Sequence, residues 1–350
     1  MYSPENYGEN SFVLTDDTEK ELQRKKERSR LRRYSLSAGL MVVASSILFT
    51  VISYCLVWFI KSLGTSLYFP KDIDTAPNDI ISSLTSLTAF LITGLVFLKV
   101  NKSSLSEALP FNKVRPFKFF ALIVIGFSVC MFSNVLTSAF MEVVWSFGLN
   151  PMSYHAGGGE AINSPVEIIL ALLSTAVVPA ISEEFVFRGV MLSSLRKFGD
   201  GFAVLATALL FGFMHGNLVQ IPFAFIVGLV LGFVTVSTDS MLPAMLIHAL
   251  NNSYSVLNDI LYQNYKDYSM TSEGVYLILL SIIVTFLILA IIMTVILSKK
   301  DKDFMKLRGY DGPLTKKEIN RGFYLFPTVI IAFAYMTIEA ASKYLPINLG

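Results

Sequence analysis

Long apolar runs recur along most of this sequence, and they constrain its fold more than any other feature. At about 1.5 Å of rise per helical residue, roughly 20 apolar residues cross a hydrocarbon core of about 30 Å. Only helices and closed barrels satisfy their backbone hydrogen bonds in lipid, and these runs have helical lengths. The sequence therefore predicts an all-α polytopic transmembrane bundle of about eight to nine spans, near 36–60, 79–98, 119–141, 166–182, 202–216, 219–237, 241–258, 275–298 and 323–341.

Composition and charge fix the class and favour one orientation. Hydrophobic residues make up 53% of the chain and charged residues only 15%, which indicates an integral membrane protein. The stretch EKELQRKKERSRLRR precedes the first span, and the 99–118 and 299–321 loops are also rich in Lys and Arg. By the positive-inside rule we expect a multi-pass protein of the cell membrane with a cytoplasmic N-terminus, in contact with the lipid bilayer. Topology explains these basic residues, so we expect no nucleic-acid partner.

The chain divides by composition into four parts. We expect a cytoplasmic polar tail at 1–34 and a membrane domain at 35–298. The mixed charges of the tail could form an amphipathic juxtamembrane helix, but they favour a solvated and partly disordered arm. A charged cytoplasmic loop at 299–322 then leads to a terminal transmembrane helix and short tail at 323–350.

Residues outside the main polar group have simpler interpretations. Cys55 and Cys130 lie in apolar spans without CxxC or Cys/His zinc spacing, which favours small buried hydrophobes. The Gly-rich segment SYHAGGGEAINSP suggests a mobile loop, in which His155 is an ordinary loop residue.

The stretch ISEEFVFRGV places two carboxylates and a guanidinium in an apolar setting. Intramembrane ionisable groups are costly and are functional-site hypotheses by default. Glu184 and Arg188 are four residues apart, so on a helix they share a face and can form an ion pair. Glu183 points about 100° away and is left to act on another group. The plainer interpretation is the solvated cytoplasmic end of a span.

Further polar residues weaken that plainer interpretation. In FGFMH, His215 follows Phe211 by one helical turn, and in HALNN, Asn252 follows His248 by one turn. Imidazole and carboxamide thus project from one helix face. A single membrane histidine is more often an interhelical hydrogen-bond partner, but the combination favours a site.

The three motifs EEFVFR, FGFMH and HALNN fit EExxxR, FxxxH and HxxxN in that order. In this respect the chain resembles the CAAX prenyl protease 2 family, which includes the bacterial bacteriocin-processing and lysostaphin-resistance-like proteins called CPBP or Abi. The resemblance covers about residues 165–258. It implies an intramembrane endopeptidase that acts on a peptide or membrane-protein substrate.

Peptide hydrolysis needs an activated water, a site for the oxyanion and a proton donor for the leaving amine. Glu183 is the candidate general base, and His215 could hold the same water. His248 and Asn252 suit the oxyanion, as the resemblance also implies. Glu184 and Arg188 position the set, with Arg188 either pairing with Glu184 or anchoring substrate carbonyls. No cofactor is required. Zinc held by Glu183, His215 and His248 is the alternative, although the chain lacks HExxH.

Two other function classes compete with the protease. One is a non-enzymatic regulator or immunity protein that keeps these residues structurally, and the other is a transporter with a proton relay. Alternating spans would also place Glu183 and His215 at different depths. We therefore expect the fourth span to continue to about residue 196, kinked at Pro179, and the polar groups to meet in an intramembrane cavity that opens to the cytoplasm.

Overall fold

The computed structural model describes residues 16–62, 76–148, 164–264 and 270–343, and within these ranges the chain is an all-α bundle. The Gly-rich loop and His155 lie outside the described residues. The helices are α1 Asp16–Ser62, α2 Ala76–Asn101, α3 Leu105–Ala108, α4 Pro116–Ser146, α5 Pro165–Phe198, α6 Asp200–Met214, α7 Gln220–Thr238, α8 Leu242–Asn264, α9 Ser272–Lys300, α10 Lys316–Tyr324 and α11 Pro327–Ser342.

Six of the described helices are long and apolar enough to cross a membrane, namely α1, α2, α4, α5, α7 and α9. A seventh span is possible if α10 and α11, which meet at a 55° bend, are taken together. The polytopic bundle is therefore confirmed, with fewer qualifying helices than the spans predicted. Predicted span 202–216 is the 15-residue helix α6, and 241–258 lies in α8, which carries several polar side chains.

Helix α5 carries the EExxxR motif, and it runs without a break past residue 196, as expected. Two segments of it, Leu172–Val177 and Phe185–Leu192, are π-helical, and the short α-helical segment Val178–Glu184 lies between them. Pro179 stands at the start of that segment, where the hydrogen-bond pattern changes. The side chains of Glu183 and Glu184 thus project from the end of this α-helical segment, directly before the second π-helical segment begins.

The N-terminal tail differs from the expectation of a partly disordered arm, which is wrong for residues 16–34. These residues form the first part of α1, since Glu, Lys, Arg and Gln are good helix formers. Tertiary contacts also hold this part in place. Arg24 Nη2 lies 2.6 Å from Glu318 Oε1 on α10, and Arg28 bonds to the same oxygen. The tail is thereby tied to the charged segment before the last helix.

Many of the basic side chains lie at one end of the bundle. The ion pair Lys118–Asp301, at 2.9 Å, joins the start of α4 to the end of α9. Arg196, near the end of α5, pairs with Asp200 at 2.9 Å and with Asp239 at 2.6 Å. We call this the basic end.

The opposite end of the bundle contains few basic side chains. Of the described residues, it includes Lys61 at the end of α1 and Lys343 after α11, together with Glu142, Glu167, Glu273 and Glu339. We call this the distal end. The contrast in basic residues is what the positive-inside rule requires of the two sides of a membrane protein.

Helices α6 and α7 approach each other closely at a glycine. A Cβ on Gly228 of α7 would lie 3.0 Å from Ala208 Cα on α6. The absence of a side chain there lets the two backbones meet.

The two cysteines differ in exposure. Cys130 is buried, as expected, whereas Cys55 lies exposed on the outer face of α1, so that part of the prediction is wrong.

Candidate active site

A buried ion pair forms the base of the site. Arg188 Nη1 donates to Glu184 Oε1 at 2.7 Å, and both side chains are almost fully inaccessible, at 1% and 0% exposed. The predicted pair between these residues is thus present. Arg188 Nη2 also donates to the carbonyl of Gly228 at 3.3 Å, and its guanidinium stacks 4.4 Å from the ring centroid of Phe211. The cation is held by a carboxylate, a carbonyl and an aromatic face.

His248 of α8 joins this pair through a contact that its spacing in the sequence does not show. Its Nδ1 lies 3.0 Å from Glu184 Oε1, and the side chain is buried. Because a carboxylate accepts, the proton lies on Nδ1. The ring is thereby fixed, and its Nε2 is directed toward Glu183, 3.9 Å from Oε2.

Glu183 and Glu184 occupy different environments, as the 100° rotation between them predicts. Glu184 is fully buried, whereas the Glu183 side chain is 14% exposed and lines a cavity of about 270 Å³. Glu183 Oε2 has no hydrogen-bond partner within the described part of the chain. An unpaired carboxylate oxygen facing a fixed imidazole is therefore available to a bound molecule.

His215, at the C-terminal cap of α6, lines the same cavity. Its Nδ1 lies 2.9 Å from the carbonyl of Phe211, which can only accept, so Nδ1 carries the proton and Nε2 is the free acceptor. The Phe211 ring packs edge-to-face against both His215 and His248, with centroids 5.0 and 5.9 Å apart. Phe211 thus forms a wall shared by the two histidines and Arg188, a role that its place in FxxxH did not reveal.

Asn252 lies on the cavity wall beside His248, and its carboxamide already makes two hydrogen bonds. Its Nδ2 donates to the Thr175 carbonyl at 2.9 Å, and its Oδ1 accepts from Asn251 Nδ2 at 3.2 Å. Asn251 was not singled out from the sequence, although HALNN contains it. It is buried on the cavity wall, and its own Oδ1 has no hydrogen-bond partner among the described residues.

The three candidate zinc ligands do not assemble into a metal site. No group of three or more His, Cys, Asp or Glu side chains in the described ranges could hold a metal ion. The Nδ1 atoms of both histidines are turned toward oxygen acceptors, Glu184 Oε1 and the Phe211 carbonyl, and this leaves both Nε2 atoms open, as in many histidines that bind zinc. The three side chains are thus not gathered into a ligand set among the described residues, and the zinc alternative stays a prediction.

The direction in which the cavity opens differs from the expectation. It continues into a second cavity of about 520 Å³, with which it shares Thr175, His215, Phe223, Asn251 and Asn252. That second cavity is lined by the distal halves of α4 and α8 and by the first turns of α9. The site therefore opens toward the distal end, and the predicted opening at the Lys- and Arg-rich end is wrong.

Comparison with protein families finds a match over about a quarter of the chain. Residues 165–254 match the family model described as Rce1-like, Type II CAAX prenyl endopeptidase Rce1-like. This segment is an Rce1-like domain. The match includes all six candidate residues, from Glu183 to Asn252. No curated protein and no solved structure matches the chain significantly.

The Rce1-like domain includes α5, α6, α7 and the first half of α8, and these helices supply most of the cavity wall. Its family is a protease family, and the apolar helices make the chain a multi-pass membrane protein. Other parts of the chain complete the wall. Ser82 of α2 lines the cavity, and Asp79 on the same helix accepts from Ser174 at 2.8 Å. Helix α2 therefore takes part in a site that the motifs alone place on α5, α6 and α8.

Proposed function

We propose that this protein is an intramembrane endopeptidase of the CAAX type, with Glu183 as its general base. One observation carries the proposal. The free oxygen of Glu183 faces His248 Nε2 at 3.9 Å across the cavity, and the buried Glu184–Arg188 pair fixes that imidazole. A carboxylate and an oriented nitrogen at this separation can both form hydrogen bonds to one bound water.

In the proposed reaction Glu183 removes a proton from a water, and the resulting hydroxide attacks the scissile carbonyl carbon. The carbonyl oxygen becomes an oxyanion that accepts a hydrogen bond from His248 Nε2–H. Glu183 then passes its proton to the amide nitrogen, the C–N bond breaks, and an acid and an amine leave. Donors that are already in place where charge develops supply most of the stabilisation in such reactions.

The proposed oxyanion role requires protons on both ring nitrogens of His248. Nδ1–H donates to Glu184, so His248 can donate from Nε2 only as an imidazolium. A single carboxylate, Glu184, then lies between two cations, Arg188 and His248, and Glu183 supplies the second negative charge. The four groups together are neutral, which limits the cost of holding them between apolar helices.

His215 and Asn252 have supporting roles in this scheme. The free Nε2 of His215 can accept a hydrogen bond from the attacking water on the opposite side from Glu183. Asn252 Nδ2 carries two N–H donors: one donates to the Thr175 carbonyl and holds α8 against α5, and the second can donate to the oxyanion. No step in the scheme uses a metal ion.

The test is a peptidase assay on the full chain in detergent, with a peptide library as substrate. Glu183→Gln keeps the shape of the side chain and removes the base, so we expect kcat to fall by roughly 10²- to 10⁴-fold. Glu107→Gln makes the same chemical change on α3, outside the cavity, and serves as the matched control with unchanged activity. Equal activity in Glu183→Gln and the wild type would remove Glu183 from the catalytic role.

The same assay separates the protease from a non-enzymatic regulator or immunity protein. A regulator on this scaffold would show no cleavage by the wild type, and its partner binding would survive Glu183→Gln.

A further inference from the structure

The second cavity, which we call the vestibule, is an amide-rich space between α4, α8 and α9. Its volume is about 520 Å³, and it meets the catalytic cavity at His215 and Asn252. Carboxamide side chains are its most distinctive polar groups, supplied by Asn134, Gln220, Asn251, Asn252 and Asn258. Hydroxyl groups and apolar side chains fill the spaces between them.

The chemistry of the vestibule selects against charge. Among the described residues that line it there is no Asp, Glu, Lys or Arg. A carboxamide carries two N–H donors and a carbonyl acceptor, which pair with the C=O and N–H groups of a peptide backbone. Asn134, Asn251 and Asn252 each use one N–H within the protein and keep a second donor. A charged side chain placed there would lose hydration without gaining an ion pair. The vestibule therefore suits an extended peptide segment with uncharged side chains.

The vestibule lies at the distal end of the bundle. On α9, Tyr276 lines it and precedes Asp301 by 25 residues (301 − 276), or about 37 Å of helix. On α4, Met141 lines it and follows Lys118 by 23 residues (141 − 118), or about 35 Å. Both distances are measured from the Lys118–Asp301 pair at the basic end, and both exceed the thickness of a hydrocarbon core.

By the positive-inside rule the basic end faces the cytoplasm, so the distal end faces outward. We infer that the catalytic cavity opens to the extracytoplasmic side, and that the vestibule binds an uncharged extended segment of a membrane or exported polypeptide there. The substrate assignment rests on the proposed peptidase function. The direction of opening does not, because it follows from the placement of the vestibule and the basic end alone.

The direction of opening is tested by cysteine labelling of the full chain in cells. The background carries Cys55→Ser to remove the exposed thiol, and it keeps the buried Cys130. Ser255→Cys places a reporter at an exposed position of the vestibule, and Ser106→Cys places one at an exposed position on α3 near the basic end. The probe is a charged maleimide that does not cross membranes.

We expect the maleimide to label Ser255→Cys in intact cells, and to label Ser106→Cys only in inside-out vesicles. The reverse pattern would overturn the outward opening. Failure to label Ser255→Cys from either side would also overturn it, since the vestibule would then hold no water. Neither outcome depends on peptidase activity.

Peptide binding by the vestibule is tested by kinetics. Asn258 lines the vestibule outside the catalytic cavity, so Asn258→Asp should raise KM for an uncharged peptide roughly tenfold and change kcat less than twofold. Asn258→Gln keeps the carboxamide and should restore KM. An unchanged KM in Asn258→Asp, or a loss confined to kcat, would overturn the peptide-binding role. A wild type without activity would overturn the proposed function and this substrate assignment together, while the labelling result would stand.

Discussion

Breaking the Glu184–Arg188 pair tests most directly whether the site depends on a buried charge network. Arg188→Met removes the guanidinium and keeps an apolar side chain of similar length. The change leaves the Glu184 carboxylate at 0% exposure with His248 as its remaining hydrogen-bond partner. It also removes the bond to the Gly228 carbonyl. The protein then holds a buried anion that has lost its nearer cation.

The expected cost is large because neither partner reaches water. Removing one member of a buried pair typically costs about 3–5 kcal/mol. We therefore expect the free energy of unfolding to fall by about that amount in Arg188→Met and by a comparable amount in Glu184→Gln. The double variant loses both charges together, so its loss should be smaller than the sum by about 2 kcal/mol or more.

The assay is a double-mutant cycle measured by chemical unfolding in detergent, with helix content as the signal. The pair Lys118–Asp301 provides the matched control, because it is also a Lys/Arg–carboxylate pair but its side chains are 19% and 28% exposed. A partly exposed pair of this kind contributes about 0–1 kcal/mol, so the cycle of Lys118→Met and Asp301→Asn should show weak coupling.

Simple addition of the two losses at Glu184 and Arg188 would refute the reasoning, as would coupling equal to that of the control pair. Either result would mean that water or another group replaces the missing partner, and that the buried site is not held together by this pair.

Three further outcomes follow from individual contacts. His248→Gln should keep part of the peptidase activity, since Gln can still donate to the oxyanion, and chelators should not inhibit the wild type. Stoichiometric zinc that is lost and regained together with activity would contradict this. Gly228→Ala should lower the free energy of unfolding by about 1–3 kcal/mol, because its Cβ would meet the Ala208 backbone at 3.0 Å, and unchanged thermal unfolding would contradict it. The hydrogen bond from Lys118 holds the pKa of Asp301 below its ordinary value of 3.8. The stability that this pair contributes is therefore present at neutral pH and is lost as the pH falls below about 4. Asp301→Asn should remove that part of the pH dependence of unfolding.

Local spacing predicted the features of the site that lie within one helix. The Glu184–Arg188 pair follows from a separation of four residues, and the separation of Glu183 from Glu184 follows from the helical rotation per residue. The length of α5 could also be inferred, because Glu183 and His215 would otherwise lie at different depths. Hydropathy located the helices, but the 15-residue α6 and the more polar α8 do not have the length and hydropathy of the membrane spans that were predicted there.

Features that depend on contacts between helices were not predicted. Glu184 and His248 are separated by 64 residues, and no periodicity relates them. The engagement of Asn252 with the Thr175 carbonyl depends on how closely α8 approaches α5. The opening toward the distal end depends on where α4, α8 and α9 diverge. A helix was the less favoured alternative for the tail because a polar composition is also compatible with disorder, and docking of the tail on Glu318 requires a partner nearly 300 residues away.

The two adjacent glutamates can have different roles because one oxygen of Glu184 accepts hydrogen bonds from two side chains. Oε1 accepts from both Arg188 and His248, so the ion pair and the imidazole orientation are set by the same atom. Any change that moves Glu184 therefore moves His248 Nε2 relative to Glu183. A buried carboxylate fixed on one side by a guanidinium is a rigid support for such an orientation, whereas an exposed one would move with solvent. Burial of Glu184 and partial exposure of Glu183 are thus two requirements of a single site, and consecutive positions on a helix meet both.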